Sequence, residues 1–261
     1  MAKNFLVFQH TPWEGPGEFL LEGVKRHNIR LHIVKVWEQS IPEITSYDGL
    51  IILGGSPNVD QEKQYPFLKS EKRSIRLAIE DDLPCLGICL GHQLLADALG
   101  AQVGRNFRPS VGFINGYLTH DGRQHPVFKD MPTTLSLFKW HGQAVLEPLP
   151  KHIEVLVTSA DCQIEAITFA GHPHIIGVQS DNHAAAPQDV AFWLEKDAKW
   201  IASLSDPLPD PAKIIADAEM RAQASREQFM LLFNNWLALQ KRKKTARRNK
   251  RKAILPEREL M

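Results

Sequence analysis

The sequence predicts an α/β fold: a mostly parallel open sheet flanked by helices, with a small antiparallel section and a C-terminal helical arm. Three observations predict it. Through roughly the first hundred residues, short apolar runs alternate with stretches of helical spacing, and that alternation builds a parallel sheet with helices on both faces. Past Gly100 the runs shorten and are separated by turn residues such as Asp121-Gly122 and His125-Pro126, as in antiparallel strands. Beyond Leu204, the residues Pro207, Pro209 and Pro211 mark a linker into a long helical stretch.

Each element has its own reason. Asn4-Phe5-Leu6-Val7-Phe8-Gln9 is the compact apolar run of a strand buried on both faces. The loop His10-Thr11-Pro12-Trp13-Glu14-Gly15-Pro16-Gly17 follows, then a helix from Glu18 to His27 with Phe19, Leu20, Gly23 and Val24 on one face. Ile29 to Val36 reads as the second strand and Gly49 to Leu53 as the third, ending in the small-residue bend Gly54-Gly55-Ser56-Pro57. A helix over 67–80 has Leu68, Ile75, Leu77 and Ile79 among its apolar positions. Pro84 to Ile88 is a short buried strand, and the turn after it opens a helix that runs through Leu99.

Later strands are expected at Val111–Thr119, Leu135–Phe138, Glu154–Thr158 and Ile164–Phe169, leading back to a final core strand at Ile175–Gln179. Gln188 to Leu204 is amphipathic and is expected to pack on the sheet. Asp210-Pro211 is a helix start, an N-cap followed by proline at the first helical position. The chain divides on this reading into a body at 1–205 and, at 206–261, a helical arm with a basic tail. The arm folds back on the body or pairs with another chain.

Composition narrows the class. The 261 residues carry a net charge of +1 and mixed surface charge, as a soluble globular protein does. No apolar run approaches the roughly 20 residues that span a bilayer, so no membrane association is expected. The N-terminus enters a strand without the layout of a signal peptide. Three cysteines without tight pairing point to a reducing cytoplasm. Residues 241–252 hold nine Lys/Arg and no acid, which leaves the body acidic. That run reads as a solvated tail, or as a weak, non-specific, salt-sensitive contact with nucleic acid. No aromatic is interleaved in it, so base stacking has no support.

The chemistry gathers at Gly87-Ile88-Cys89-Leu90-Gly91-His92-Gln93. Cys89 stands on the turn between strand and helix, with glycine two residues before and two after. A nucleophile lifted clear of a sheet edge sits on strained backbone, and side chains at those flanking positions would collide with the crossing strand and helix. The helix aims unpaired N–H groups at the sulfur, which favours thiolate, and the N–H of Leu90 is placed to hold an oxyanion. Cys85 and Cys162 read as packed core residues.

This stretch resembles the nucleophile signature of class I, triad-type glutamine amidotransferases, and the chain is similar to free-standing members related to the amidotransferase domain of GMP synthase. The likeness covers about residues 4–200. It implies a flavodoxin-like sheet and a cysteine that attacks the side-chain amide of glutamine. Ammonia leaves, and water hydrolyses the glutamyl thioester without a metal or an organic cofactor. It further implies a second oxyanion N–H from Gly55, close approach of substrate at Gly54, and substrate contacts from Leu90 and Gln93. The substrate is glutamine or a γ-glutamyl compound, and any acceptor of ammonia is a partner enzyme.

One run departs from the pattern. The resembling family carries Gly-x-Gln-x-His-Pro-Glu after the last core strand, whereas this chain reads Gly177-Val178-Gln179-Ser180-Asp181-Asn182-His183. Three explanations stay open. His183 swings in as acid/base with Asp181 orienting it; or His141, in Lys139-Trp140-His141-Gly142-Gln143, a stretch that resembles a family loop near the cleft, substitutes; or the site binds a γ-glutamyl group as a catalytically impaired or regulatory module. A carboxylate facing the thiol would raise its pKa.

Overall fold

Phe5, Leu6, Val7 and Phe8 are fully buried, because their strand lies inside a nine-stranded sheet with cover on both faces. The computed structural model describes residues 2–204 and 210–240. Its elements run β1 (Lys3–Gln9), α1 (Gly17–Arg26), β2 (Ile29–Lys35), β3 (Gly49–Ile52), α2 (Phe67–Glu80), β4 (Cys85–Ile88), α3 (Leu90–Ala98), β5 (Gln102–Leu118), α4 (His120–Gln124), β6 (Thr134–Leu146), β7 (Ile153–Ser159), β8 (Ala166–Phe169), β9 (His172–Val178), α5 (Pro187–Lys196), α6 (Ala198–Ala202) and α7 (Pro211–Leu239). The sheet order is β2-β1-β3-β4-β9-β8-β7-β5-β6. Neighbours from β2 through β9 pair parallel, and the remaining pairs are antiparallel.

This is the expected α/β architecture. α1, α5 and α7 bury their apolar faces with the cluster that includes Phe5, Leu86 and Ile176; α2 and α3 bury theirs with the opposite cluster, which includes Leu6, Leu50 and Cys85. On α1 the four residues read as one face, Phe19, Leu20, Gly23 and Val24, are the buried ones. α2 spans the residues expected, although Leu77 faces solvent and Glu71 takes a place in the interior.

The structure differs from the sequence reading in the second half. β5 begins at Gln102 rather than Val111, and its early part pairs with β6 across a register shift between Arg105 and Ser110. That part exposes Phe107 and carries Pro109, so it lacks the alternating signal of a half-buried strand. β6 does not stop at Phe138. Lys139 to Gln143, expected as a loop, continues it, with Val111 opposite Trp140 and Ser110 opposite His141. The helix expected over 188–204 breaks at Asp197, whose carboxylate accepts the Trp140 indole N–H at 2.8 Å.

The C-terminal helix folds back. α7 starts where expected, with the Asp210 side chain accepting the Ala212 N–H at 3.0 Å. It then crosses α1 at Gly23, where an added Cβ would lie 2.8 Å from the Phe233 ring. Trp236 is fully buried, meets Phe5 edge-on at 5.5 Å, and donates its indole N–H to the carbonyl of His174 at 2.9 Å. The Asn235 amide donates to the carbonyls of Val127 and Lys129. The basic run 241–252 lies outside the described residues. Among the described residues no helix is long and apolar enough to cross a membrane.

Trp236→Ala removes a filled core position together with the hydrogen bond to β9. It is expected to cost about 3–5 kcal/mol in urea denaturation of the full chain. A cost below about 1 kcal/mol would show that α7 is only loosely applied to the body.

Candidate active site

The turn at Cys89 follows from its neighbours. Its φ of 51° and ψ of −108° lie where few non-glycine residues go. Its N–H donates to the carbonyl of Val178 at 2.9 Å, which ties the turn to the end of β9. The flanking glycines serve the steric purpose expected of them. A Cβ on Gly87 would lie 2.4 Å from the Gly91 carbonyl oxygen, and one on Gly91 would lie 2.0 Å from that of Ile52. The Leu90 N–H points at the sulfur from the first residue of α3.

The loop after β3 closes one side. A Cβ on Gly54 would stand 3.5 Å from the Cys89 Cβ, 3.3 Å from Asp181 Oδ1 and 3.0 Å from Glu14 Oε2. A Cβ on Gly55 would lie closer still to a neighbour, 2.5 Å from the His10 Cβ. His10 itself is buried, with Nδ1 2.9 Å from the Gly54 carbonyl oxygen and Nε2 2.7 Å from Glu71 Oε1. The Gly54 carbonyl accepts from Nδ1, and the Glu71 carboxylate beside Nε2 favours the imidazolium. Burial opposes that charge, but the Glu71 carboxylate outweighs it, and the pKa of His10 is raised.

Two carboxylates face the thiol. Asp181 follows β9, and its N–H donates to the Phe138 carbonyl at 2.8 Å. Apart from the thiol, its side-chain oxygens have no hydrogen-bond partner among the described residues. Burial pushes its pKa up to about 8, against the pull of Lys139 and the thiol. Glu14 enters from the loop between β1 and α1. Burial, and then the charges of Asp181 and Asp197, push it also to about 8. Cys89 responds: burial first, then Asp181 and Glu14, lift its pKa well above the ordinary thiol value. Lys139 and the Leu90 N–H act the other way and do not prevail.

Neither expected imidazole takes part in this contact. His183 sits on a short 3-10 turn, Asn182–Ala184, with its ring edge-on to Trp193 at 6.2 Å. It lines an apolar cavity of about 40 Å³ with Ile88, Phe128 and Leu232. Burial lowers its pKa to about 4, against hydrogen bonds to the backbone of Gly15 and Asp181. The expected swing of His183 to the sulfur is therefore not what the structure shows; Asp181 holds that place. His141 lies on β6, where its Nδ1–H donates to the Gln143 carbonyl at 2.8 Å and burial, then Lys139, hold it neutral. The Gln93 amide nitrogen, expected on substrate, donates to the Gln143 carbonyl at 3.0 Å and to Gln179 Oε1 at 3.1 Å. It ties α3 to β6 and to the end of β9.

A sequence profile described as glutamine amidotransferase class-I matches residues 18–180. The chain belongs to the class-I glutamine amidotransferase family. It is 34% identical over 129 residues to a glutamine-hydrolyzing GMP synthase subunit of Methanocaldococcus jannaschii, covering 49% of this chain and 61% of that one. It is 32% identical over 125 residues to anthranilate synthase component 2 of the same organism, covering 44% and 60%. The chain thus spans about 60% of the length of these curated relatives. A glutamine amidotransferase structure from Thermotoga maritima superposes with a TM-score of 0.79 at 23% identity, over 90% of this chain and 98% of that one, and so shares the fold.

The stretch that this chain shares with its family contains the elbow and Gly54-Gly55, and ends one residue before Asp181. Glu14 also falls outside it. Sequence reading missed Glu14, since a lone glutamate in a loop carries no signal of burial. Its one cue is rigidity: Pro12, Trp13, Gly15, Pro16 and Gly17 enclose it, and Gly17, at φ 70°, has room for no side chain against the His183 carbonyl, 2.5 Å from the Cβ position.

The carboxylates make stability depend on pH. From ordinary values of 3.8 and 4.5, Asp181 and Glu14 are raised to about 8 on folding. Between those limits the unfolded chain has lost protons that the folded chain keeps, so stability falls as pH rises through the window and levels above it. Asp181→Asn should lose less stability than the wild type between about pH 5 and about pH 8, by at least about 1 kcal/mol in urea titrations. Identical slopes for the two proteins would show that Asp181 ionises freely in the fold.

Proposed function

We propose that this chain keeps the γ-glutamyl cleft of a class-I amidotransferase and holds its cysteine as a neutral thiol, so that it binds a γ-glutamyl compound and turns it over slowly. The observation that carries this reading is the pair of buried carboxylates, Asp181 and Glu14, around Cys89, with His141 and His183 engaged elsewhere. A thiol attacks an amide as its anion; burial disfavours that anion first, and the two carboxyl groups disfavour it further wherever they ionise. The departing ammonia also needs a proton, which an imidazole supplies well near neutral pH. The elbow, the Leu90 N–H and the Gly54-Gly55 loop support binding of the acyl group whether or not turnover is fast.

A second reading has an observation of its own. An acid with a pKa of about 8, as Asp181 has, exchanges protons near neutral pH. In its ionised form it would take the thiol proton as Sγ bonds to the amide carbon, with the oxyanion facing the N–H groups of Leu90 and Gly55. It would then pass that proton to nitrogen as the C–N bond breaks and ammonia leaves, and water would cleave the thioester to release glutamate. On this reading activity rises with pH through about 8. Both relatives carry the names of parts of synthases, and a partner synthase would be the natural consumer of ammonia released here.

The exchanged variant, Asp181→His with His183→Glu, carries the histidine and the glutamate of the resembling run in their places. Ammonia release from glutamine and from γ-glutamyl dipeptides is then compared with the wild type and Cys89→Ala. The first reading expects the wild type near the Cys89→Ala background, retained γ-glutamyl binding by calorimetry, and a gain of about a hundredfold in the exchanged variant. Wild-type turnover that climbs through about pH 8 and falls in the exchanged variant gives the site to the second reading. Absence of γ-glutamyl binding in all of them would overturn both.

A further inference from the structure

At the opposite end of β4 from Cys89, three side chains from distant parts of the sequence converge. The register of β4 and β9 pairs Cys85 with Ile175. The chain three residues upstream in each therefore runs side by side, and Asp82 meets His172. Asp82 lies in the tight turn after α2 with a left-handed φ of 54°. β9 opens His172-Pro173-His174, and residues two apart on a strand share a face. His172 Nδ1 lies 2.6 Å from Asp82 Oδ1, and His174 Nε2 lies 2.8 Å from the same oxygen.

We propose that Asp82, His172 and His174 form a binding site for a divalent transition-metal ion, zinc in the first place. The donor set is two imidazole nitrogens and one carboxylate oxygen, which suits zinc and leaves a further position for water. Their ligand atoms all lie within 4.8 Å of one another. Ligands about 2.0–2.2 Å from a tetrahedral zinc stand roughly 3.3–3.6 Å apart, so each nitrogen needs to move away from the Asp82 oxygen by about 1 Å or less. The rings are held in place for this. His172 stacks on Phe169 at 4.4 Å with planes 9° apart, and the His174 carbonyl accepts the Trp236 indole N–H. The side chains remain reachable from solvent, with His172 36% and Asp82 23% exposed.

Binding requires a lone pair on each facing nitrogen. The ring proton of His172 then resides on Nε2 and that of His174 on Nδ1. The same triangle without an ion is a hydrogen-bonded staple, and the two differ in what they do with metal. A second convergence, His141, Cys162 and Glu165, is less suited, because the Lys139 ammonium already pairs with Glu165 there. The bound ion would clamp the turn after α2 to the start of β9, remote from the thiol chemistry.

The test uses the full chain, stripped with chelator and titrated with zinc against a chromophoric competitor. One zinc per chain is expected, weakened at least about tenfold in His172→Ala and in Asp82→Asn and unchanged in His120→Ala. No stoichiometric binding, or binding that survives both site substitutions, overturns the proposal. If a substituted chain fails to fold, cobalt added to the wild type reads the ligands directly. A spectrum of nitrogen and oxygen ligands supports the site, and a thiolate charge-transfer band, from Cys85, Cys89 or Cys162, overturns it.

Discussion

The backbone kink at Cys89 is the constraint on which the rest depends. It exists because three segments approach more closely than side chains allow: β4 at Gly87, α3 at Gly91 and the end of β3 at Ile52. The Gly91 N–H donates to the Leu53 carbonyl at 3.1 Å, and the Cys89 N–H donates to Val178, so the kink is hydrogen-bonded to a strand end on either side. Strain of this kind persists only where the surroundings over-determine it. Here they do so because β3, β4 and β9 are adjacent and parallel, and their carboxyl ends meet. The Gly54-Gly55 loop, Asp181 and the thiol are brought together by that one adjacency.

Local pattern makes part of this legible. The elbow declares itself through two glycines at fixed offsets, and α2 through spacing alone. The Asp210 cap and the apolar stripe after it locate α7, although nothing in the sequence says which surface it covers; the partner surface, with Phe5, Gly23 and His174, is spread over the whole chain. Lys139 to Gln143 reads as a loop through its likeness to a family loop near the cleft. The structure hides Lys139 there by pairing it with Glu165, and no local rule announces a partner that far along the chain. Asp181 is legible as a position, by counting from Gly177, but not as a neighbour of Glu14. The Asp82 cluster escapes for the same reason, since its members are adjacent by strand register and not by spacing.

Electrostatics around the sulfur divide into two groups. Glu14 and Asp181 stand together beside Gly54, while Lys139 pairs with Glu165 and acts on His92 and His141. The Lys139 charge largely answers Glu165, because their contact is direct and fully buried. Burial disfavours the thiolate first; Asp181 and Glu14 disfavour it further wherever they ionise, and Lys139 only partly offsets them. An imidazolium in place of Asp181 would favour the thiolate instead. The identity of the side chain after β9 therefore bears on the state of the Cys89 thiol, while the fold that presents it stays the same.

His10 makes the point from the other direction. Its imidazolium is only a few residues from Glu14 along the loop, yet it adds little to the thiol's balance, because both its donors are spent, one on Glu71 and one on the Gly54 carbonyl. That contact fixes the loop that carries Gly55. The field of that cation is largely answered by the carboxylate it touches, although it still favours the ionised form of Glu14. Lys139, paired with Glu165, pulls the thiol toward ionisation and does not prevail over burial, Asp181 and Glu14. The thiol of Cys89 is therefore held protonated by burial first and by its carboxyl neighbours second.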